Sequence, residues 1–166
     1  ITIGIVFAVI GSHKKENNPS VADNQNNETT AEPTTEEETT TKVPTIEVDL
    51  MMIGDMLMHE GVVKSGLMDD GTYNFDHLYT NIAKDISSAD IKIVNQETIL
   101  GGSDFAYTGY PTFNSPWALG DAEVKAGFNI ILHATNHTLD KGLKGVENCL
   151  SFWKTYHPDT PVLGIN

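Results

Sequence analysis

Polar side chains that could bind a metal ion or move a proton follow three of the strands that the sequence predicts. Asp55 follows the first strand, with His59 close behind; Asn95 and Glu97 follow the second; Asn136 and His137 follow the third, with Asp140 after them. Carboxylate, amide and imidazole groups are the ligands that divalent metals bind in proteins. These residues therefore predict a polar, metal-binding site.

The elements that must position these residues alternate between strand and helix. Alternating or continuous apolar runs predict four strands, and helical spacing of apolar residues predicts three helices between them. The strands are predicted over 46–53, 90–95, 129–134 and 161–165, and the helices over 75–88, 116–126 and 142–155. Ser115 is expected as the N-cap of the second helix and Gly127 as its end. One apolar face is expected on the first helix (Phe75, Leu78, Tyr79, Ile82 and Ile86), and a core-facing set on the third (Leu143, Val146, Leu150 and Trp153). This β-α-β-α-β-α-β order predicts an α/β fold with a largely parallel sheet. Ligands bind outside the carboxyl ends of such strands, where the polar residues lie.

Each of these residues also fits an ordinary structural role when taken alone. An Asp after a strand often caps a helix or forms a turn, and Asn136-His137 fits a hydrogen-bonded turn. Glu97 fits a solvated loop charge. The coincidence of such residues at three corresponding strand ends favours a functional site.

Two other groups of residues bear on this site. The segment 98–115 is rich in Gly, Tyr and Phe, and it is expected to fold over the strand ends as one wall of a pocket. His13, His77, His133 and His157 lie outside the predicted strand ends, and they are interpreted as surface or packing histidines. His133 is close enough to the site to hold the site residues in place without itself binding a ligand.

The chain begins with an apolar run followed by a long polar tract. Residues 1–11 fit either a buried element of the domain or the end of a truncated signal anchor. Residues 12–44, rich in Thr, Glu and Asn, cannot bury enough apolar area to offset their chain entropy and predict a disordered linker. An apolar run, a solvated tether and then a domain at 45–166 indicate a membrane-anchored protein on the extracytoplasmic face.

Charge and cysteine content exclude several classes of function. The formal charge is −13, and the acids are spread along the chain, so nucleic-acid binding is not expected. All ten basic residues are lysine, so a bidentate guanidinium clamp on an anion is not available in this sequence. The single cysteine, Cys149, falls in an apolar helical pattern and predicts a buried, inert thiol.

At these residues the sequence resembles the CapA-type capsule synthesis proteins of poly-γ-glutamate biosynthesis, a family related to calcineurin-like metallophosphoesterases. The family's motifs are Gly-Asp after the first strand, Asn-x-Glu, Tyr/Phe-x-x-Pro and Asn-Asn-His-x-x-Asp-x-Gly. They are matched here by Gly54-Asp55, Asn95-Gln96-Glu97, the segment 112–116 and the segment 135–142. The resemblance covers roughly residues 46–166. It implies a metallophosphoesterase-like sandwich, of which this chain is an incomplete half, the front part of the domain.

The sequence departs from the family pattern at three points. Thr135 replaces the first Asn of the last motif, which leaves Asn136 and His137 intact. Residue 57 is Leu, so the Asp-x-His pair of typical phosphoesterases is missing, and the nearest histidine is His59. The further histidine motifs of the family do not occur up to Asn166, so an incomplete metal site is expected.

Carried over residue by residue, the resemblance implies Asp55, Glu97 and Asn136 as metal ligands and His137 as the catalytic residue, a proton donor or charge-stabilising group. Asn95, His59 and Asp140 would support them. The implied cofactors are divalent metal ions, two in a dinuclear site, and the implied role is making or exporting a capsule polymer.

Three functions remain open at this point. The first is a metal-dependent hydrolase or transferase acting on an anionic cell-envelope polymer or its precursor. The second is a non-catalytic scaffold or binding subunit of a capsule export complex, and both would work with other capsule-synthesis subunits. The third is an unrelated adhesion module on a stalk.

Overall fold

The computed structural model describes residues 45–165. The anchor predicted at 1–11 and the linker predicted at 12–44 lie outside the described residues. Within the described part, the strands and helices alternate as predicted, except that the first crossover also contains a short helix over Glu60–Ser65 and a 3-10 helix that were not predicted. The elements are β1 (Leu50–Asp55), α1 (Glu60–Ser65), a 3-10 helix (Asp76–Leu78), α2 (Ala83–Ser88), β2 (Ile91–Asn95), α3 (Trp117–Ala126), β3 (Ile130–Leu132), α4 (Gly142–Tyr156) and β4 (Val162–Leu163).

The four strands form one parallel sheet in the order β1-β2-β3-β4. Each crossover carries helix or turn, as parallel pairing requires. The predicted fold class, an α/β structure with a parallel sheet flanked by helices, is confirmed. All polar residues that follow the strands therefore belong to the same edge of the sheet.

One face of this sheet forms the core and the other does not. Val94 and Ile131 are fully buried, and Met51, Ile53 and Val162 pack against the same apolar cluster. The alternate residues are also apolar, but none of them is buried among the described residues. In strand order they are Leu50, Met52, Ile91, Ile93, Ile130, Leu132 and Leu163. An apolar sheet face normally packs on a second layer, so the architecture is consistent with half of a metallophosphoesterase-like sandwich.

The prediction of a single helix over 75–88 is wrong. The backbone N–H groups of Leu78, Tyr79 and Ile82 bond carbonyls three residues back, which gives 3-10 and turn geometry before α2 begins. Thr80 and Asn81, in the middle of this segment, have weak helix propensity. The apolar face was nevertheless correctly predicted in part, because Tyr79 is buried.

The core around α4 differs from the sequence prediction in one residue. Leu143 was expected to face the core and is 74% exposed, while α4 buries Gly145, Cys149, Phe152 and Trp153. Those buried positions follow the i, i+4, i+7, i+8 spacing of one helical face. Leu143 lies off that face, near the start of the helix.

His133 and Cys149 meet inside this core. The indole N–H of Trp153 donates to His133 Nε2 at 3.0 Å, and Cys149 Sγ lies 3.7 Å from the same nitrogen. Burial lowers the pKa of His133 to about 4 and raises the pKa of the Cys149 thiol to about 12. The interpretations of Cys149 as a buried thiol and of the His133 ring as a packing group are confirmed.

The close packing of α3 against α4 predicts that a larger residue at Gly120 destabilises the protein. A Cβ added at Gly120 would lie 2.6 Å from the Phe152 ring and 3.0 Å from Leu100. Gly120→Ala is therefore expected to lower the free energy of unfolding by about 1–3 kcal/mol, measured by urea denaturation. Gly61→Ala in α1 is the matched control, because nothing lies within 4 Å of its added Cβ. Equal stability of the two variants would contradict the described packing.

Candidate functional site

The ends of β1 and β2 are joined by a hydrogen bond between their last residues. Asp55 lies opposite Asn95 in the parallel register, and Asn95 Nδ2 donates to Asp55 Oδ1 at 2.5 Å. The register shifts between Ile53 and Asp55, so Gly54 is passed over by the pairing. Asp55 is exposed, and its carboxylate lies at the open edge of the sheet.

Glu97, two residues beyond β2, lies where its charged form is disfavoured. Its side chain is 14% exposed, and Oε2 is buried without a hydrogen-bond partner. Burial and then the Asp55 carboxylate raise the pKa of Glu97, while His137 and His59 oppose that rise. Glu97 is thus within electrostatic reach of three other predicted site residues.

His137 and Asp140 form a hydrogen-bonded pair beside Glu97. His137 Nδ1 lies 2.8 Å from Asp140 Oδ2, and both side chains are largely buried. Because the carboxylate accepts, His137 Nδ1 carries the proton. His137 Nε2 lies 4.0 Å from Glu97 Oε1. The imidazole therefore has one nitrogen held by Asp140 and the other turned towards Glu97.

The turn that carries His137 is tied to the backbone of Glu97 by Thr135. Thr135 Oγ1 donates to the Glu97 carbonyl at 2.7 Å and accepts from the His137 backbone N–H at 3.2 Å. Thr138 Oγ1 donates to the His133 carbonyl at 2.6 Å and accepts from the Thr135 N–H at 3.2 Å. His133 thus supports the site through its backbone.

The remaining predicted residues lie at the rim. His59 precedes α1 and is exposed, and its ring packs edge-on against Phe113 with 5.3 Å between centroids. Phe113 in turn packs edge-on against His137, at 4.5 Å. Asn136 lies in the same turn as His137 with an exposed side chain. The structure therefore brings Asp55, Asn95, Glu97, His137 and Asp140 together, with His59 joined through Phe113.

A comparison with protein families matches residues 49–161 to the bacterial capsule synthesis protein PGA_cap. This range spans most of the chain and includes every residue of the site. The chain belongs to the bacterial capsule synthesis protein family. A search of curated proteins found no match. Capsule synthesis places a protein of this family at the cell envelope.

The residues of this capsule synthesis protein fit part of a metal site. An unpartnered, buried carboxylate oxygen beside a second carboxylate is a place where a cation relieves both desolvation and repulsion. Asp55 and Glu97 could hold such an ion, with the amide oxygen of Asn95, whose Nδ2 already bonds Asp55, as a further donor. Within residues 45–165, no group of three or more His, Cys, Asp or Glu side chains is placed to hold a metal ion.

Two residues of the site were missed by sequence reasoning. Phe113 was expected as part of a pocket wall and of a family motif but not as a contact of His137, and Thr135 only as a departure from a motif. The signal for Thr135 was its hydroxyl two residues before His137, a position from which it can form an ST-turn. The contact between Phe113 and His137 spans 24 residues of sequence (137 − 113) and left no local signal.

The described part of the chain contains no helix that is long and apolar enough to cross a membrane. The predicted anchor at 1–11 is not among those residues.

Proposed function

We propose that the strand-end cluster of this capsule synthesis protein is the active site of a metal-dependent hydrolase-like enzyme. The observation that carries the proposal is Glu97, whose buried Oε2 lacks a partner and whose carboxyl group lies near Asp55, His137 and His59. Two acidic groups held close together in a partly buried site need a cation or a proton between them.

Asp55 and Glu97 would hold the metal, with Asn95 and Asn136 beside them. When bound, divalent metal supplies positive charge that polarises a phosphoryl or acyl oxygen and lowers the pKa of bound water. This charge matters here because the sequence contains no arginine and Lys141, near the site, already bonds Thr108 Oγ1 and the Thr112 carbonyl.

His137 would transfer the proton. Asp140 holds His137 Nδ1–H at 2.8 Å, which fixes the tautomer and stabilises the ring when Nε2 is also protonated. Nε2 is then free to donate to a leaving group. Asp140 in turn accepts a hydrogen bond from the Phe113 backbone N–H at 2.6 Å, which helps to hold the carboxylate in place.

The substrate class is an anionic cell-envelope polymer or its precursor, for which poly-γ-glutamate is the polymer implied by the CapA resemblance. The chain would act on the extracytoplasmic face, anchored through residues 1–11 and working with other capsule-synthesis subunits. Acidic surface charge makes nucleic acid an unfavourable partner.

A non-catalytic scaffold of a capsule export complex is the second candidate. It is favoured by one observation, that the described residues hold no group of three or more His, Cys, Asp or Glu ligands. A scaffold would keep the fold and the sheet edge but would not need Asp55 or His137.

The proposed function predicts the behaviour of an Asp55→Ala variant. We expect Asp55→Ala to lose most of the bound divalent metal, measured by elemental analysis of the purified full-length protein, and to fail to restore capsule in cells whose own copy is deleted. Asp159→Ala, at an exposed site in the turn before β4, is the matched control and should retain both. Full metal content in Asp55→Ala would exclude Asp55 as a ligand.

A further inference from the structure

The segment between β2 and α3 is held in shape by two side chains, Asn114 from within the segment and Lys141 from the start of α4. Asn114 is fully buried; its Oδ1 accepts from the Gly101 N–H at 2.8 Å and its Nδ2 donates to the Gly102 carbonyl at 2.9 Å. Lys141 Nζ donates to Thr108 Oγ1 at 3.0 Å and to the Thr112 carbonyl at 3.2 Å. The residue between these anchors, Phe113, therefore has a defined position.

Phe113 contacts both partners of the His137–Asp140 pair. Its ring is 1% exposed and packs edge-on against the His137 ring, with 4.5 Å between centroids and 71° between planes. Its backbone N–H donates to Asp140 Oδ2, the same oxygen that accepts from His137. The Phe113 ring also contacts the His59 ring, with 5.3 Å between centroids.

We propose that Phe113 is a positioning residue that fixes the orientation of the His137 ring. This inference rests on the proposed function, in which His137 transfers a proton. The outer torsion of a histidine has broad, shallow minima, so a single hydrogen bond at Nδ1 leaves the ring able to rock. The Phe113 ring restricts the rotation of the His137 ring that it contacts, and the Phe113 N–H fixes the carboxylate that His137 bonds. Nε2 is held towards Glu97 as a result.

Phe113→Leu separates these two contributions, because the backbone N–H remains and only the aromatic edge is lost. We expect the downfield resonance of the hydrogen-bonded His137 Nδ1–H to be lost by exchange with solvent, while the remaining amide spectrum is unchanged. Capsule production should fall about 10²-fold, the cost of misplacing a reacting group. Phe113→Tyr, which keeps the ring edge, should preserve the resonance. Phe105→Leu in the same loop is the matched control.

The outcomes separate this inference from the proposed function. Retention of the His137 Nδ1–H resonance in a folded Phe113→Leu protein would overturn the positioning role. Loss of the resonance with full capsule production would support the positioning role and contradict proton transfer by His137. If Phe113→Leu does not fold, the wild-type protein decides: nuclear Overhauser contacts between the Phe113 and His137 ring protons are expected, and their absence overturns the inference.

Discussion

His137→Ala is expected to lower capsule production by about 10²–10⁴-fold, the usual contribution of a positioned proton-transfer group. Bound metal should remain, because the proposed metal ligands Asp55 and Glu97 are unchanged. The physical reason is the geometry of the His137 ring. Asp140 Oδ2 holds the ring at Nδ1, 2.8 Å away, so Nε2 is the nitrogen that can transfer a proton. Capsule is measured in cells that lack their own copy, and metal is measured on the purified full-length protein.

His77→Ala is the control for this substitution. His77 is an exposed histidine whose Nε2 lies 3.0 Å from Ser65 Oγ, far in sequence from the strand ends. Its loss should leave capsule production unchanged. If His137→Ala restored capsule as fully as His77→Ala does, proton transfer by His137 would be ruled out.

The second prediction with a large expected effect concerns the pH dependence of stability. It depends on Glu123, a fully buried carboxyl group on α3. Neither of its oxygens has a hydrogen-bond partner, and the nearby Tyr79 hydroxyl is also buried without one. Burial raises the pKa of Glu123 well above its usual value. The folded protein therefore keeps Glu123 protonated over a pH range in which the unfolded chain releases the proton.

The sign of the resulting pH dependence follows from proton binding. Below about pH 4.3, both states hold the proton and Glu123 carries no ionisation penalty. As the pH rises above that value, the unfolded state binds fewer protons, and this residue removes up to about 1.4 kcal/mol of stability per pH unit. The loss continues until the pH passes the raised pKa of the folded state.

Glu123→Gln should remove this dependence. We expect the stability of Glu123→Gln relative to wild type to increase steadily from pH 4 to pH 7 in urea denaturation, because contributions of other groups cancel in the difference. Glu147→Gln on the exposed side of α4 is the control and should show no such trend. A difference between Glu123→Gln and wild type that does not change with pH would contradict the burial of the ionisable group.

Much of the fold could be predicted because its signals are local. The parallel sheet followed from apolar runs separated by helical spacing, and the end of α3 followed from Gly127, which has φ 107° as a left-handed C-cap requires. The 3-10 and turn geometry before α2 was missed because the apolar residues of the segment 75–88 have the spacing of a helix. Tertiary burial of Phe75 and Tyr79 is compatible with 3-10 turns as well.

The site was predictable in its residue types but not in its connections. Strand ends in a parallel sheet meet at one edge, which is why Asp55 and Asn95 could be placed together from sequence. Ser115 was expected to cap α3, and its hydroxyl instead lies 2.7 Å from Thr98 Oγ1, while Pro116 occupies the N-cap. The burial of Glu123 also gave no signal, because a single Glu in a helix is usually solvated.

Metal content and capsule production, measured together on Asp55→Ala and His137→Ala, test the central claim most directly. A metal-dependent active site at the strand ends predicts that Asp55→Ala loses both metal and capsule, and that His137→Ala keeps the metal but loses capsule. Full capsule production by both variants would contradict a catalytic site and leave the scaffold as the function of this fold.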